Sequence, residues 1–391
     1  MSTLASLVTM VAFTEEHAAF RRLVRDFAEK EIAPHADEWE RAGIFPAHEL
    51  FPKMAELGLL GLEYDEAYGG QGADHLFTVI LHEELGRAGP GGVAMGIAVQ
   101  TDMATPSLHR FGSAELKERY LAPAIRGEAV CSIAVSEADA GSDVAGMRTS
   151  GVMDGDSWVI NGSKLYITNG TQADWICLLA RTSDEPGYRS FSQIIVPTDL
   201  PGFGVARKLD KLGMRSSDTA ELTFTDVRVP VRNTIGVIGR GFQQQMAQFQ
   251  NERMAACYGQ AGGMARALAR TAEYLKTRSA FGEPLIDRQY VAFRLAELTA
   301  RLDLLRHYNY ASAEAYIRGE DTTRFATIAK LETGRLARDV AATCLQFHGG
   351  MGYMEETWTA RFLRDATLVS IGGGADEVML QILTRLDHLH S

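Results

Sequence analysis

The chain has 391 residues, a formal net charge of -11 at pH 7, and 46% hydrophobic and 23% charged residues. That length supports two or three domains with a large core. The acidic balance argues against a nucleic-acid partner, whose affinity rests on clustered cations. No run of roughly 18 apolar residues occurs, so no membrane span is expected. The four cysteines, Cys131, Cys177, Cys257 and Cys344, include no CxxC pair. They point away from a metal site or disulfide framework and towards a reducing compartment. The stretch up to Phe13 is mildly apolar and the first basic residue is Arg21. It lacks the basic start of a signal peptide and the arginines of a transit peptide, so a cytoplasmic protein is expected.

From about Thr14 to about Ala124 the pattern is helical. Phe20, Leu23, Val24, Phe27, Ala28 and Ile32 fall on one face of a helix that Thr14 caps, that Glu15 and Glu16 suit by charge, and that Pro34 is expected to stop. A second helix is predicted over Ala47 to Leu59, a glycine-rich loop over Tyr64 to Ala73, and a third helix over His75 to Arg87. Gly89, Gly91 and Ala94 spell GxGxxA. A helix precedes them and Pro90 interrupts them, so they are not a dinucleotide fingerprint, which follows a strand.

From Cys131 to about Val231 the chain reads as short strands. Asp154-Gly155 and Asn161-Gly162 are expected hairpin turns, and Ile176 to Ala180, Gln193 to Val196 and Ala220 to Val229 are expected strands. From about Gly241 onward four or five long helices are predicted, the last over Asp376 to Leu389 with Met379, Ile382, Leu383 and Leu386 on one stripe. The expected fold class is α+β multidomain: an N-terminal helical domain (1–130), a middle β domain (131–235) and a C-terminal helical bundle (236–391).

Two stretches carry the chemistry. Cys131 to Gly146, CSIAVSEADAGSDVAG, begins as an apolar strand and becomes an acidic loop with hydroxyls at Ser136 and Ser142 and a bend at Gly141. A strand end followed by exposed amides and hydroxyls suits a cofactor's edge and phosphates. Gln346 to Asp365, QFHGGMGYMEETWTARFLRD, ends a helix at a glycine pair, where a ligand can approach backbone closely. Together these resemble the two signatures of the acyl-CoA dehydrogenase family. The first matches as small, aliphatic, Ser/Thr, Glu, two residues, small, Gly, Ser/Thr, Asp. The second matches at Gln346, Gly349, Gly350, Gly352, Tyr353, Glu356, Arg361 and Asp365. The resemblance extends over the whole chain.

The resemblance implies FAD as cofactor, held by Ile133, Ala134, Val135, Ser136, Gly141 and Ser142, by the aromatic-Ile-Thr segment Tyr166, Ile167 and Thr168, and by Gln346, Gly349, Gly350, Ala375 and Glu377. Arg278 and Phe281, resembling the family's Arg-x-x-Phe-Gly motif, and Gln289 would reach the FAD of a neighbouring subunit, which implies a homotetramer. Ser142, Gln250, Arg253, Gly373 and Gly374 are the implied substrate contacts. The Gly373 N–H would help polarise the thioester carbonyl.

Oxidising a thioester between its α and β carbons requires a carboxylate that removes the α proton. Many members of the family carry it in the late loop, but here that loop reads Ile371-Gly372-Gly373-Gly374-Ala375-Asp376-Glu377, with Gly373 at the glutamate's position. Asp376 and Glu377 fit the start of the last helix instead. A minority, including long-chain and isovaleryl-type enzymes, carries the base in an earlier Glu-Arg pair, matched by Glu252-Arg253. Phe242, Met246, Phe249, Arg253 and Ala256 trace a helical stripe with Glu252 on it, and a carboxylate on the apolar side of a helix has a raised pKa. The expected reading is an oxidoreductase of acyl-CoA, or of an acyl-carrier-protein thioester, in fatty acid metabolism. Glu252 is its base and an electron-transfer flavoprotein its electron acceptor. An oxygen-using relative and a non-catalytic flavoprotein scaffold are the alternatives. The glycine-rich late loop would leave room for long or branched chains.

Overall fold

The computed structural model describes residues 13–389. The reading of the N-terminus as free of a leader falls on residues 1–12, outside them. Thr14 opens α1 (Glu15–Phe27) through a reciprocal capping box with His17, with Glu15 and Glu16 in the first turn. The expected stop at Pro34 does not occur. A π turn (Ala28–Ile32) and a 3-10 turn (Ala33–His35) lead into α2 (Ala36–Ala42), which ends at Gly43 with φ +68°. Pro34 lies in the first turn of its short segment, where a missing N–H leaves no bond unmade. Then come α3 (Ala47–Glu56), α4 (His75–Ala88), α5 (Gly91–Ala98) with a π turn (Val99–Ala104), α6 (Pro106–Phe111), α7 (Ala114–Leu116) and α8 (Ala122–Ile125). The GxGxxA stretch joins α4 to α5 with no strand ahead of it.

The middle region holds β1 (Cys131–Ala134), β2 (Ser150–Asp154), β3 (Ser157–Thr168), β4 (Trp175–Arg181), β5 (Phe191–Pro197), β6 (Phe203–Lys208) and β7 (Thr219–Pro230). They form one sheet in the order β1-β4-β2-β3-β7-β6, with β5 also paired to β4. β1 runs parallel to β4, and the β2–β3 hairpin turns at Gly155 as expected. Asn161-Gly162 is not a turn. It lies inside β3, where the ladder to β7 slips by a bulge. The twelve-residue pairing with β7 overrides the local turn preference, and Asn161 instead bonds Asp226 by side chain and backbone. β6 was not legible in the sequence, being a largely exposed edge strand with no apolar alternation.

The C-terminal part consists of α9 (Gly241–Thr277), the two-residue strands β8 (Ser279–Ala280) and β9 (Glu283–Pro284), α10 (Gln289–Ile317), α11 (Thr323–Phe347), α12 (Trp358–Thr367) and α13 (Asp376–Leu386). The 37-residue α9 organises the whole. Its first residue, Gly241, lies against the Ser192–Gln193 backbone of β5, where a Cβ would stand 2.5 Å from the Gln193 nitrogen. About five turns downstream it packs on α4, with Gly259 against Gly86 and Gly262 against the Glu83 carbonyl, so closely that a Cβ at Gly86 or Gly262 would overlap backbone. α9 thus joins the N-terminal helices to the sheet. Gly262→Ala is expected to destabilise the protein by about 1–3 kcal/mol through overpacking, read as a lowered denaturation midpoint at unchanged slope. An unchanged midpoint would contradict so tight a crossing.

Candidate active site

Glu252 lies on α9 between its two close crossings, and only 8% of it is exposed. The stripe expected to bury it does not. Phe242, Met246 and Phe249 are half-buried, and Phe242 and Phe249 pack against Val135, Leu179 and Phe191 of the sheet region. The fully buried face carries Gln244, Gln245, Gln248 and Glu252. Gln248 Nε2 donates to Glu252 Oε1 at 2.8 Å and Gln245 Nε2 at 3.4 Å. Both amides are held the right way round. Ser107 donates its N–H and hydroxyl to Gln248 Oε1, and Gln193 Nε2 donates to Gln245 Oε1. Glu252 Oε2 accepts no hydrogen bond from the described residues.

Burial pushes the Glu252 carboxyl up to about 7. Donation from Gln248 and the charge of Arg253 pull the other way, and the charge of Asp102 adds to the rise. Burial raises the Cys177 thiol on β4, and the charge of Glu252 adds to the rise, while the Gln245–Gln193 bond ties this face of α9 to β5. Sequence reasoning singled out Glu252 as a candidate but not its amide partners. Their signal was the spacing of Gln245, Gln248 and Glu252 at steps of three and four.

Arg253 turns the other way. Its Nε donates to the Gly373 carbonyl at 3.0 Å, so the late loop is tied to the residue after Glu252. Gly373 has φ +66°, open space where a Cβ would stand, and an N–H that donates to no described residue. Gly374 packs on Met379 and Arg253. Gln250 is not free in this way. Its amide is taken at both ends by Thr322 and Thr323 before α11 and at its start. Ala375 precedes α13, and Glu377 is exposed in its first turn, as charge favours.

The first signature and the aromatic-Ile-Thr segment come together at the end of β1 and β3. The Leu165 N–H donates to the Ser136 carbonyl, and Ser132 Oγ donates to the Thr168 carbonyl. Lys164 is fully buried, and its Nζ donates to the Val135 carbonyl at 2.8 Å and to Glu137 Oε1 at 2.9 Å. Glu137 also accepts the N–H groups of Arg148 and Thr149. Burial pushes the Glu137 carboxyl up, but Lys164 and these N–H groups outweigh it and hold it low. Burial pulls Lys164 down to about 8 against its partner's charge. Ala134 and Ile167 are sealed in the sheet, so they reach a ligand through backbone alone. Tyr166 is 68% exposed with φ +65°, and the β3–β7 ladder breaks between Lys164 and Ile167, which frees its backbone. Gly141 looks onto open space and Ser142 is exposed. An open polar rim of this kind, with an aromatic, unpaired strand backbone and a glycine bend, fits the dinucleotide and ring edge of a flavin.

Arg278, Phe281, Gln289, Gln346, Gly349 and Gly350 are all exposed, Phe281 by 97%. Tyr274 stacks on His348 at 4.3 Å and brings the Arg278 turn beside the Gln346–Gly350 helix end. These residues form one outward face rather than joining the pocket of Glu252.

Comparison with known proteins fits this arrangement. The N-terminal, middle and C-terminal domain models of acyl-CoA dehydrogenase match residues 14–128, 132–227 and 239–386. A probable acyl-CoA dehydrogenase, YngJ, of Bacillus subtilis is 37% identical over 95% of this chain and 98% of its own. The mitochondrial isovaleryl-CoA dehydrogenase of Solanum tuberosum is 36% identical over 97% and 92%. A crystal structure of a putative acyl-CoA dehydrogenase from Mycobacterium smegmatis superposes with a TM-score of 0.94, at 42% identity, over 97% of this chain and 99% of that one. With all three domain models matched in order, the chain belongs to the acyl-CoA dehydrogenase family, an oxidoreductase family whose cofactor is FAD.

Proposed function

We propose that the protein removes two hydrogens across the α and β carbons of an acyl-CoA thioester, giving the trans-2-enoyl thioester, with Glu252 as the α-proton base. The observation that carries this is the carboxylate itself: buried, fixed through Oε1 by two oriented amides, open at Oε2, and with a pKa raised to about 7. FAD, when bound, would supply the acceptor for the β hydrogen, taken as hydride, with an electron-transfer flavoprotein as the separate electron carrier. Oε2 receives the proton while Gln245 and Gln248 stay on Oε1 and keep the carboxylate from turning away. The Gly373 N–H, in a loop that Arg253 ties at the next peptide through the Gly373 carbonyl, donates to the thioester oxygen as negative charge develops there. Lys164 and Glu137 hold the Val135–Glu137 segment at the end of β1, where FAD would be held. The exposed Arg278 face serves a second subunit of a homotetramer.

The test is anaerobic reduction of the purified flavoprotein by acyl-CoA, followed at the flavin band. The rate at low thioester concentration is expected to rise with pH, level off above about 7 and fall tenfold per unit below it, because only the ionised carboxylate accepts the proton. A profile flat from about pH 5.5 to 9 would contradict Glu252 as the base. Reduction by acyl-carrier-protein thioesters alone would keep the chemistry and change the substrate.

A further inference from the structure

A cavity of about 430 Å³ lies between the Leu59–Asp65 segment, α4, the π turn after α5 and the start of α9. Gln244, Gln248 and Asn251 form its α9 wall, so it begins one helical turn from Glu252. It is the right size for the distal part of an acyl group. Its lining mixes apolar side chains such as Leu59, Leu62, Leu81 and Phe111 with two carboxylates that suit a plain hydrocarbon poorly. Asp102, nine-tenths buried, accepts His82 Nε2 at 2.8 Å and Thr101 Oγ1 at 2.5 Å, both on Oδ2. Glu63 bonds His75 Nδ1 at 2.7 Å and accepts Thr78 Oγ1 at 2.6 Å, both on Oε1. In each case the second carboxylate oxygen accepts nothing from the described residues, and both residues line the cavity. Two carboxylates are thus oriented through one oxygen and offer the other. The charge of Asp102 is also felt at Glu252, which places the cavity wall and the base in one electrostatic neighbourhood.

Resting on the dehydrogenase reading above, we infer that the preferred substrate carries a hydrogen-bond donor, a hydroxyl or an amine, on its acyl group beyond the β carbon, and that Asp102 and Glu63 receive it. An alkyl chain in this space would strip water from both carboxylates and replace none of its hydrogen bonds. A donor-bearing chain satisfies both, and a site built for a hydrogen-bonded group strongly rejects the analogue that lacks it.

The experiment compares matched thioesters on the wild-type holoenzyme by anaerobic flavin reduction: hexanoyl-CoA, 6-hydroxyhexanoyl-CoA and 6-aminohexanoyl-CoA. The expected result is a kcat/KM at least about tenfold higher for one or both donor-bearing thioesters than for hexanoyl-CoA. The better of the two tells whether a hydroxyl or an ammonium is read. Asp102→Leu is expected to reverse the preference, and the milder Glu63→Gln to narrow it. Hexanoyl-CoA reducing the flavin as well as or better than both others would overturn the inference and leave the dehydrogenase standing. No reduction by any of the three while another acyl-CoA reduces the flavin would overturn the inference alone, and no reduction by any acyl-CoA or acyl-carrier-protein thioester would overturn the dehydrogenase reading and the inference with it.

Discussion

Glu252→Gln is expected to slow flavin reduction by acyl-CoA roughly 10²–10⁴-fold, the usual worth of a positioned general base, while FAD stays bound. The substitution is close to isosteric. It keeps an oxygen able to accept the Gln245 and Gln248 amides and removes only the group that takes a proton. The same change is expected to stabilise the fold at alkaline pH. The folded pKa of about 7 lies above the ordinary 4.5, so the ionised form is the one the fold disfavours. The penalty is absent below the unfolded pKa, grows as pH rises from about 4.5 to about 7, and is constant above that. Its ceiling is roughly 3 kcal/mol. The melting temperature of the variant should therefore exceed that of wild type at pH 8 and match it near pH 4.5, measured by thermal unfolding. A variant that is inactive but destabilised at pH 8 would mean that the carboxylate serves structure rather than chemistry.

Lys164→Met is expected to give a protein that purifies largely without flavin and is less stable by about 3–5 kcal/mol, the range for removing one partner of a buried ion pair. Methionine fills the same space with no charge. It leaves the Val135 carbonyl without its donor and Glu137 held by two backbone N–H groups alone. The damage falls on the end of β1, where the cofactor loop begins. The readouts are the flavin-to-protein absorbance ratio and the chemical denaturation midpoint. Full flavin content at wild-type stability would show that the loop keeps its shape without the pair. Lys164→Arg is expected to recover little, because the buried site has no room for a planar guanidinium.

The order of helices, sheet and helical bundle was legible because it rests on hydrophobic period, which the long helices and the β3–β7 pair keep over many residues. Pro34 and Asn161-Gly162 misled for different reasons. Pro34 falls in the first turn of a short 3-10 segment, where its missing N–H leaves no bond unmade, and Asn161-Gly162 sits within the β3–β7 pairing, which absorbs it as a bulge. Glu252 was legible as a candidate from the Glu-Arg pair and the glycine that stands where other members carry a late-loop carboxylate. Its environment was not. The sequence shows an apolar stripe beside it, whereas burial comes from the amide face that α9 turns towards β4 and β5. The pairings of Lys164 with Glu137, Glu63 with His75 and Asp102 with His82 carry no local signal, because the partners lie 12 to 27 residues apart and only the fold brings them together.

Proton removal can be separated from oxidation, and this tests the role of Glu252 most directly. The chemically reduced holoenzyme is incubated anaerobically with an acyl-CoA in deuterium oxide, and deuterium at the α carbon is followed by mass spectrometry. Wild type is expected to exchange the α hydrogens, and Glu252→Gln to bind the thioester without exchanging them. Equal exchange by both proteins, or none by wild type with the thioester bound, would contradict the assignment of Glu252 as the base.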